Sequence, residues 1–162
     1  MNEQTNSTPD TRPVFYLDDL AVGQKFETGT YVMEESRMKA FAAEFDPQPF
    51  HLDEAAARQS VFGGLAASGW HTAAATMRLI VDGKFKLAGG SVGLGGDIAW
   101  PRPTRAGDVL RVHTEIIEIV PSRSTPNQGI VKIRNTTVNQ KGEEVQVFTA
   151  KLMVFKRPAT IA

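Results

Sequence analysis

The spacing of apolar residues changes along this chain from a helical period to an extended one. Between residues 36 and 82 apolar side chains recur every three or four positions, whereas between residues 110 and 154 they alternate with polar ones. The alternating stretches are interrupted at residues 121–129 and 139–142, where proline, glycine and asparagine favour turns. Helices followed by several antiparallel strands predict the α+β class, in which one sheet can wrap around a central helix.

Three helices are predicted in the first half of the chain. The first has Ser36 as its N-cap and ends before Pro47, because proline disfavours helical geometry in the residue that precedes it. A short second helix covers residues 54–59, and a longer third helix covers residues 70–82. The predicted apolar face of the third helix consists of Trp70, Ala73, Ala74, Met77, Ile80 and Val81.

The remaining elements are predicted to be strands. An initial strand lies within residues 14–33, and three long strands contain the alternating positions 110–116, 131–133 and 148–154. Residues 91–97 (SVGLGGD) are also predicted to form a strand, whose small residues let the long helix approach closely.

The length and composition are typical of a single domain. With 162 residues, of which 41% are hydrophobic, the chain can bury a proper core. We expect one domain over residues 14–157, between a loose N-terminal tail of residues 1–13 and a short tail of residues 158–162. The sequence has no stretch typical of a secretory signal or a membrane span, so the predicted location is the cytoplasm.

Charge and cysteine content argue against several classes of function. The 18 basic residues balance the 18 acidic ones, so no net field attracts nucleic acid or an anionic membrane. The chain has no cysteine, which excludes disulfides, thiolate nucleophiles and cysteine-based metal sites. We therefore expect no metal, no nucleic-acid partner and no membrane partner.

Asp46 and His51 are the candidate catalytic residues. They are five positions apart in a stretch stiffened by Pro47 and Pro49, where a turn would bring the two side chains together. A histidine can take a proton from water near neutral pH, and an aspartate in partly apolar surroundings can have a raised pKa and return one. A purely structural interpretation stays open, in which Asp46 caps a turn and His51 is a surface residue.

Four stretches of the sequence match short motifs of one known family. Residues 46–53 (DPQPFHLD) and 62–69 (FGGLAASG) resemble the motifs D-x-N-P-x-H-x-D and F-G-x-x-I-A-H-G. Residues 101–108 (PRPTRAGD) and 139–143 (NQKGE) resemble P-x-R-x-G-D and N-Q-x-G-E. These are the motifs of the MaoC-like acyl dehydratases, the (R)-specific enoyl-CoA hydratases, and the resemblance extends over residues 14–157.

The resemblance implies a hot-dog fold that pairs as a homodimer, with acyl-CoA bound near the subunit interface. Since a single unit of this fold leaves an edge strand and one side of the pocket uncovered, we expect a homodimer or a dimer of dimers. It implies that Asp46 and His51 activate a water for addition to the double bond of a 2-enoyl thioester, and that the Gly69 N–H binds the thioester oxygen. No cofactor is implied, because the CoA thioester is the substrate. Gln48 and Ser68 depart from the family's usual asparagine and histidine.

Further residues are candidates for contacts with the substrate. Ser68 lies beside the proposed oxygen-binding glycine, and His71, just inside the long helix, can reach the same pocket. Arg102 and Arg105 are candidates for binding the CoA phosphates. Two other functions stay open at this point: a hot-dog thioesterase, and a non-catalytic protein that binds acyl-CoA.

Overall fold

A computed structural model describes residues 10–159 of the chain. After a single 3-10 turn at Leu17–Asp19, the chain forms strands β1 (Lys25–Glu27) and β2 (Tyr31–Val32) and helices α1 (Glu35–Phe45), α2 (Pro49–Leu52), α3 (Glu54–Arg58) and α4 (Gly69–Asp82). Four longer strands follow, which are β3 (Val92–Ala99), β4 (Val109–Pro121), β5 (Gln128–Val138) and β6 (Glu144–Phe155). This order confirms the predicted α+β class.

The strands form one antiparallel sheet in the order β1-β4-β5-β6-β3, and β2 pairs with the start of β4. In the middle of the sheet Ile133 pairs with Ile116 on one side and with Ala150 on the other, and all three side chains are buried. The predicted turn at residues 139–142 joins β5 to β6, and Gly142 in it has a φ of 77°, which favours glycine. The predicted hairpin is therefore confirmed.

The core consists of two apolar clusters. One cluster joins α4 to α1, α3 and the start of β4, and it includes Met38, Leu79 and Leu110. The other lies against the middle of β4, β5 and β6, and it is closed by the segments around Leu17 and Phe85. Phe50, on α2, packs against the first cluster.

Helix α4 has nearly the span that the sequence predicts, but the predicted apolar face is wrong. Its buried residues are His71, Thr72, Ala75, Thr76, Leu79 and Ile80. Of the predicted face only Ile80 is buried, whereas Trp70 is 60% exposed and Met77 is 47% exposed. Thr72 and Thr76 are buried because their hydroxyl groups form hydrogen bonds with two other threonines, one of them on β5. A hydrophobicity pattern counts these threonines as polar and so selects the wrong side of the helix.

The segment before α1 also differs from its prediction. The single strand predicted within residues 14–33 is replaced by two short strands, β1 and β2, which have three and two residues. Helix α1 has Glu34 at its N-cap, so the predicted N-cap Ser36 lies inside the first turn. The predicted end of this helix before Pro47 is confirmed.

Part of the predicted N-terminal tail lies against the end of α4. The Nη1 atom of Arg12 donates hydrogen bonds to the carbonyl oxygens of Val81 and Gly83, each at 2.7 Å. These bonds fix the chain near Arg12, so this part of the predicted tail is not loose. The rest of the predicted tail up to residue 9, and residues 160–162, lie outside the described residues.

Strand β3 has the predicted glycine-rich sequence, but the predicted reason for the glycines is wrong. A Cβ atom on Gly96 would lie 2.2 Å from the carbonyl oxygen of Thr149 and 2.9 Å from the Cα atom of Ala150, both on β6. Glycine is therefore needed for the approach of the neighbouring strand, not of the long helix. Within the described chain β3 pairs only with β6, so its other edge is unpaired.

Candidate active site

Asp46 and His51 come together because the chain turns sharply between α1 and α2. Asp46 is the residue that ends α1, and Pro49 is the first residue of the one-turn helix α2, where a missing N–H is tolerated. The Gln48 N–H donates to the Asp46 carbonyl at 2.7 Å, and the His51 N–H donates to the Gln48 carbonyl at 3.0 Å. This turn brings His51 Nε2 to 3.3 Å from Asp46 Oδ2. His51 thus lies on a short helix and not, as predicted, on a loop.

The Asp46 carboxylate is held by two hydrogen-bond donors. Ser68 Oγ donates to Oδ2 at 2.7 Å, and Gln48 Nε2 donates to Oδ1 at 2.6 Å. Burial by itself raises the pKa of Asp46, but these two bonds and the neighbouring His51 outweigh it and hold the pKa below its ordinary value. The predicted upward shift is therefore wrong. At neutral pH this carboxylate is ionised and can accept a proton but has none to donate.

The His51 ring is buried, and its orientation is fixed by the backbone. Nδ1 lies 2.7 Å from the carbonyl oxygen of Ala66, which can only accept, so Nδ1 carries the hydrogen. In neutral His51 the Nε2 atom is then an acceptor that faces the ionised Asp46. Nε2 and Oδ2 can share one proton, or both can accept from the same O–H donor. The pair is therefore arranged to remove a proton from a small hydroxylic molecule.

Ser68 and Gly69 place the start of α4 beside this pair. Ser68 Oγ donates to Asp46 and also accepts from the Trp70 N–H at 3.3 Å, so it caps the helix and holds the carboxylate at once. Gly69 is the first residue of the helix, whose first N–H groups have no partner inside the helix. These groups and the positive end of the helix dipole suit a developing negative charge.

The ring of Trp100 lies directly on Gly69. A Cβ atom at Gly69 would be 2.7 Å from Cε2, 2.9 Å from Cδ2 and 3.0 Å from Cζ2 of Trp100. Only glycine therefore fits at position 69 without displacing the ring. Trp100 is a site residue that the sequence does not predict, because no residue near position 69 in the chain indicates this contact.

These residues line one cavity of about 700 Å³. Four aromatic side chains line it, Phe50, Phe62, Trp70 and Trp100, while Thr72 and Thr104 add hydroxyl groups. Asp46, His51 and Gly69 face the same space. The cavity can therefore hold an apolar group beside a proton acceptor and a helix N-terminus.

The two candidate arginines have different places at the cavity. Arg105 donates from Nη1 to the carbonyls of Gly64 and Leu65, at 2.8 and 3.1 Å, and from Nη2 to the carbonyl of Phe62. Its guanidinium group thus holds the loop between α3 and α4 and is not free for a phosphate. Arg102 is exposed at the cavity, where it can meet a charged group in solvent.

His71 lies apart from the catalytic pair. Its ring stacks on Phe41 at a centroid distance of 4.8 Å and lines a separate groove with Arg37 and Arg78. Burial and the charge of Arg37 hold the pKa of His71 below its ordinary value. Its Nδ1 atom is buried without a hydrogen-bond partner among the described residues. The expected contact of His71 with the pocket around Asp46 is thus absent from this structure.

Residues 10–159 contain neither a cluster of ligands for a metal ion nor a membrane-spanning helix. No three histidine, aspartate or glutamate side chains converge there as metal ligands. The longest helix of this part of the chain, α4, falls short of what crossing a bilayer requires.

A family model and a related protein each match more than half of this chain. A family model described as "MaoC like domain" matches residues 19–139. Over 112 residues the chain is 31% identical to the 3-hydroxybutyryl-CoA dehydratase of Methylorubrum extorquens, a match that covers 68% of this chain and 69% of that protein.

Two solved structures are similar over nearly the whole chain. A MaoC-like dehydratase from Rhodospirillum rubrum is 56% identical with a TM-score of 0.88, covering 90% of this chain and 99% of that one. The unliganded R-hydratase PhaJ1 from Pseudomonas aeruginosa is 29% identical with a TM-score of 0.68, covering 91% and 96%. These likenesses confirm the hot-dog fold that the sequence motifs imply.

Proposed function

The chain belongs to the MaoC-like dehydratase family, and from this premise we propose that it adds water reversibly to the double bond of a trans-2-enoyl-CoA, giving an (R)-3-hydroxyacyl-CoA. Family membership supports hydration or dehydration of acyl thioesters in general terms. The observation that carries the finer proposal is the approach of His51 Nε2 to Asp46 Oδ2, at 3.3 Å, beside the N-terminus of α4.

In the proposed reaction, a water donates to Asp46 and His51 while its oxygen attacks C3 of the substrate. As the new C–O bond forms, an O–H bond of the water breaks and its proton passes to His51 Nε2. The electrons of the C2=C3 bond move toward the thioester oxygen, where the Gly69 N–H stabilises the negative charge. The proton on Nε2 is then delivered to C2. One water has been added, and nothing is oxidised or reduced.

The two catalytic side chains have different roles in this proposal. Because the pKa of Asp46 is lowered, its carboxylate stays ionised, orients the water and stabilises the protonated form of His51. His51 carries the proton from the water to C2, since its Nδ1–H is fixed on the Ala66 carbonyl and Nε2 alone is free to exchange protons. The resemblance alone does not separate these roles.

The proposed substrate and assembly follow the family pattern. We expect the CoA phosphates to meet the exposed Arg102, and a second copy of the chain to complete the site as a homodimer or a dimer of dimers. The unpaired edge of β3 supports this assembly, because it offers free backbone groups together with Val92 and Leu94, which are 37% and 52% exposed. Light scattering that gives the mass of a monomer at micromolar concentration would contradict the assembly.

One assay tests the proposed function against its alternatives. The protein is incubated with crotonyl-CoA while enoyl-thioester absorbance and free thiol are followed, and the product is analysed on a chiral column. Loss of absorbance without thiol release, together with an (R) product, supports the proposal. Release of thiol would indicate a thioesterase, and the absence of both signals would indicate a binding protein or a substrate other than crotonyl-CoA. Asp46→Asn is the matched control, because it removes the charge and keeps the shape.

A further inference from the structure

We propose that Trp100 makes the site selective for 2-enoyl thioesters without a branch next to the thioester, and that Gln146 is the residue that positions it. This inference rests on the proposed hydration and deepens it by naming the substrate class. It depends on where the indole ring lies, on what holds it there, and on which substrate atoms come next to it.

The indole ring is a wall of the cavity at the start of α4. It contacts the backbone of Gly69 closely, since three ring atoms lie 2.7–3.0 Å from the place that a Cβ atom would take. The ring also packs edge-on against Trp70, with the ring centroids 5.4 Å apart. Trp100 is 39% exposed and is one of the residues that line the cavity.

A buried chain of hydrogen bonds holds the ring in this place. Trp100 Nε1 donates to Gln146 Oε1 at 2.9 Å, and Gln146 Nε2 donates to Thr76 Oγ1 at 3.2 Å. Thr76 in turn is hydrogen-bonded to Thr137 at 2.8 Å. An indole N–H can only donate, which fixes the orientation of the Gln146 amide. These hydrogen bonds thus connect the cavity wall to β6, α4 and β5.

This anchoring makes Trp100 a fixed wall. Gln146 is completely buried, so a ring that rotated away would leave the amide oxygen without a donor and without water. Movement in the other direction is blocked by the backbone of Gly69. The cavity therefore has little freedom to widen at this point when a larger substrate enters.

The position of the wall indicates which part of the substrate it meets. In the proposed complex the thioester oxygen accepts a hydrogen bond from the Gly69 N–H. C2 and C3 are the first two carbons after the thioester carbonyl, so they come close to the indole ring that packs on Gly69. A methyl branch on C2 adds volume there, whereas a longer straight chain adds volume farther away. Trp100 should therefore reject branching near the thioester more strongly than chain length.

Competition between two substrates tests this selectivity. The values of kcat/KM are measured for crotonyl-CoA and for trans-2-methyl-2-butenoyl-CoA, which differ by one methyl group on C2. A pocket discriminates one such group by about 10- to 200-fold. The substrate ratio is kcat/KM for the branched substrate divided by kcat/KM for crotonyl-CoA. We expect Trp100→Ala to raise this ratio by about tenfold or more, and Gln146→Met to raise it by a smaller factor.

A matched variant separates positioning from general loss of stability. Asn135 is also a buried amide, hydrogen-bonded to Thr114 at 2.7 Å, but it does not line the cavity. Asn135→Leu should lower the melting temperature to an extent comparable with Gln146→Met and leave the substrate ratio unchanged. A change of the ratio in Asn135→Leu as large as that in Gln146→Met would overturn the positioning role.

Fluorescence gives a readout that does not depend on activity. The chain has two tryptophans, so Trp70→Phe leaves Trp100 as the sole indole. In that background Gln146→Met should shift the emission to longer wavelength and increase quenching by acrylamide, since the ring loses its anchor. Unchanged emission and quenching would overturn the positioning of Trp100 by Gln146.

The outcomes separate this inference from the function on which it rests. If the wild type hydrates crotonyl-CoA but Trp100→Ala and Trp100→Phe both keep the wild-type ratio, the proposed selectivity is wrong and the hydratase function stands. If the wild type hydrates neither substrate, the proposed function fails, and the selectivity fails with it. A raised ratio in Trp100→Ala and Gln146→Met, with none in Asn135→Leu, supports the inference.

Discussion

Gly69→Ala should destabilise the protein and reduce its activity, although alanine is the better helix former. The new Cβ atom would lie 2.7 Å from Trp100 Cε2, whereas ordinary contacts begin near 3.4 Å, so the ring or the helix start must move by about 0.7 Å. The ring resists because its Nε1 is bonded to the buried Gln146. The steric conflict therefore falls on the first turn of α4.

The two opposing contributions can be compared. Overpacking of this kind costs about 1–3 kcal/mol, while alanine gains at most about 1 kcal/mol over glycine in a helix, and less in the first turn. We expect a net destabilisation of about 1–2 kcal/mol, which lowers the melting temperature by roughly 2–8 °C in a protein of this size. A displacement approaching 1 Å at the oxygen-binding N–H should also reduce kcat by up to about 100-fold. Gly69→Val acts in the same direction and more strongly.

Thermal unfolding and crotonyl-CoA kinetics measure both effects. Gly64→Ala is the matched control, because a Cβ atom there would meet its nearest neighbour, Arg105 Nη1, at an ordinary 3.5 Å. The decisive comparison is Gly69→Ala in a Trp100→Ala background, where the obstacle is gone and alanine should no longer destabilise. If Gly69→Ala costs as much stability in that background as in the wild type, contact with Trp100 is not the cause and the reasoning fails.

Four further predictions concern the site and its surroundings. Asp46→Asn and His51→Ala should each lower kcat by about 100-fold or more while the chain still folds, and if either variant keeps more than about a tenth of the activity, the role assigned to that residue is wrong. Ser68→Ala should raise the pKa of Asp46 by removing a donor, so the acid limb of kcat/KM against pH should move to higher pH. Because the pKa of His71 is lowered in the folded state, the unfolded chain binds a proton first and stability falls as pH drops below about 6.5; His71→Leu should melt with a shallower pH dependence between pH 7.5 and 5.5. Arg102→Ala should raise KM for acyl-CoA several-fold and leave kcat nearly unchanged, whereas an equal fall in kcat would place Arg102 in the chemical step.

Features that depend on neighbouring residues in sequence are the ones that sequence analysis predicts well. The span of α4, the alternation in β4, β5 and β6, and the turn before Glu143 all have local causes. Helix α4 ends before Gly83, as predicted, and α1 ends before Pro47 because proline disfavours helical geometry in the residue that precedes it. These predictions needed no knowledge of which elements pack together.

Features that depend on distant contacts could not be predicted in this way. The buried face of α4 is set by Thr72 and Thr76, whose partners lie far along the chain. The pKa of Asp46 is lowered, whereas the sequence predicts that it is raised, because hydrogen bonds from Ser68 and Gln48 outweigh the effect of burial. The contact of Trp100 with Gly69 and Gln146 joins three separate elements, and no local pattern indicates it.

The bonds of Arg105 have a consequence for protein engineering. Among residues 10–159 this side chain donates hydrogen bonds only to main-chain carbonyls of the loop at residues 62–65, so the course of this part of the cavity wall does not depend on which side chains the loop carries. Val61, which is 97% exposed, and Phe62 can therefore be randomised in a library without removing the bonds that shape the loop. Variants selected for new acyl groups would keep one scaffold and differ only in the lining, provided that Arg105 is left in place.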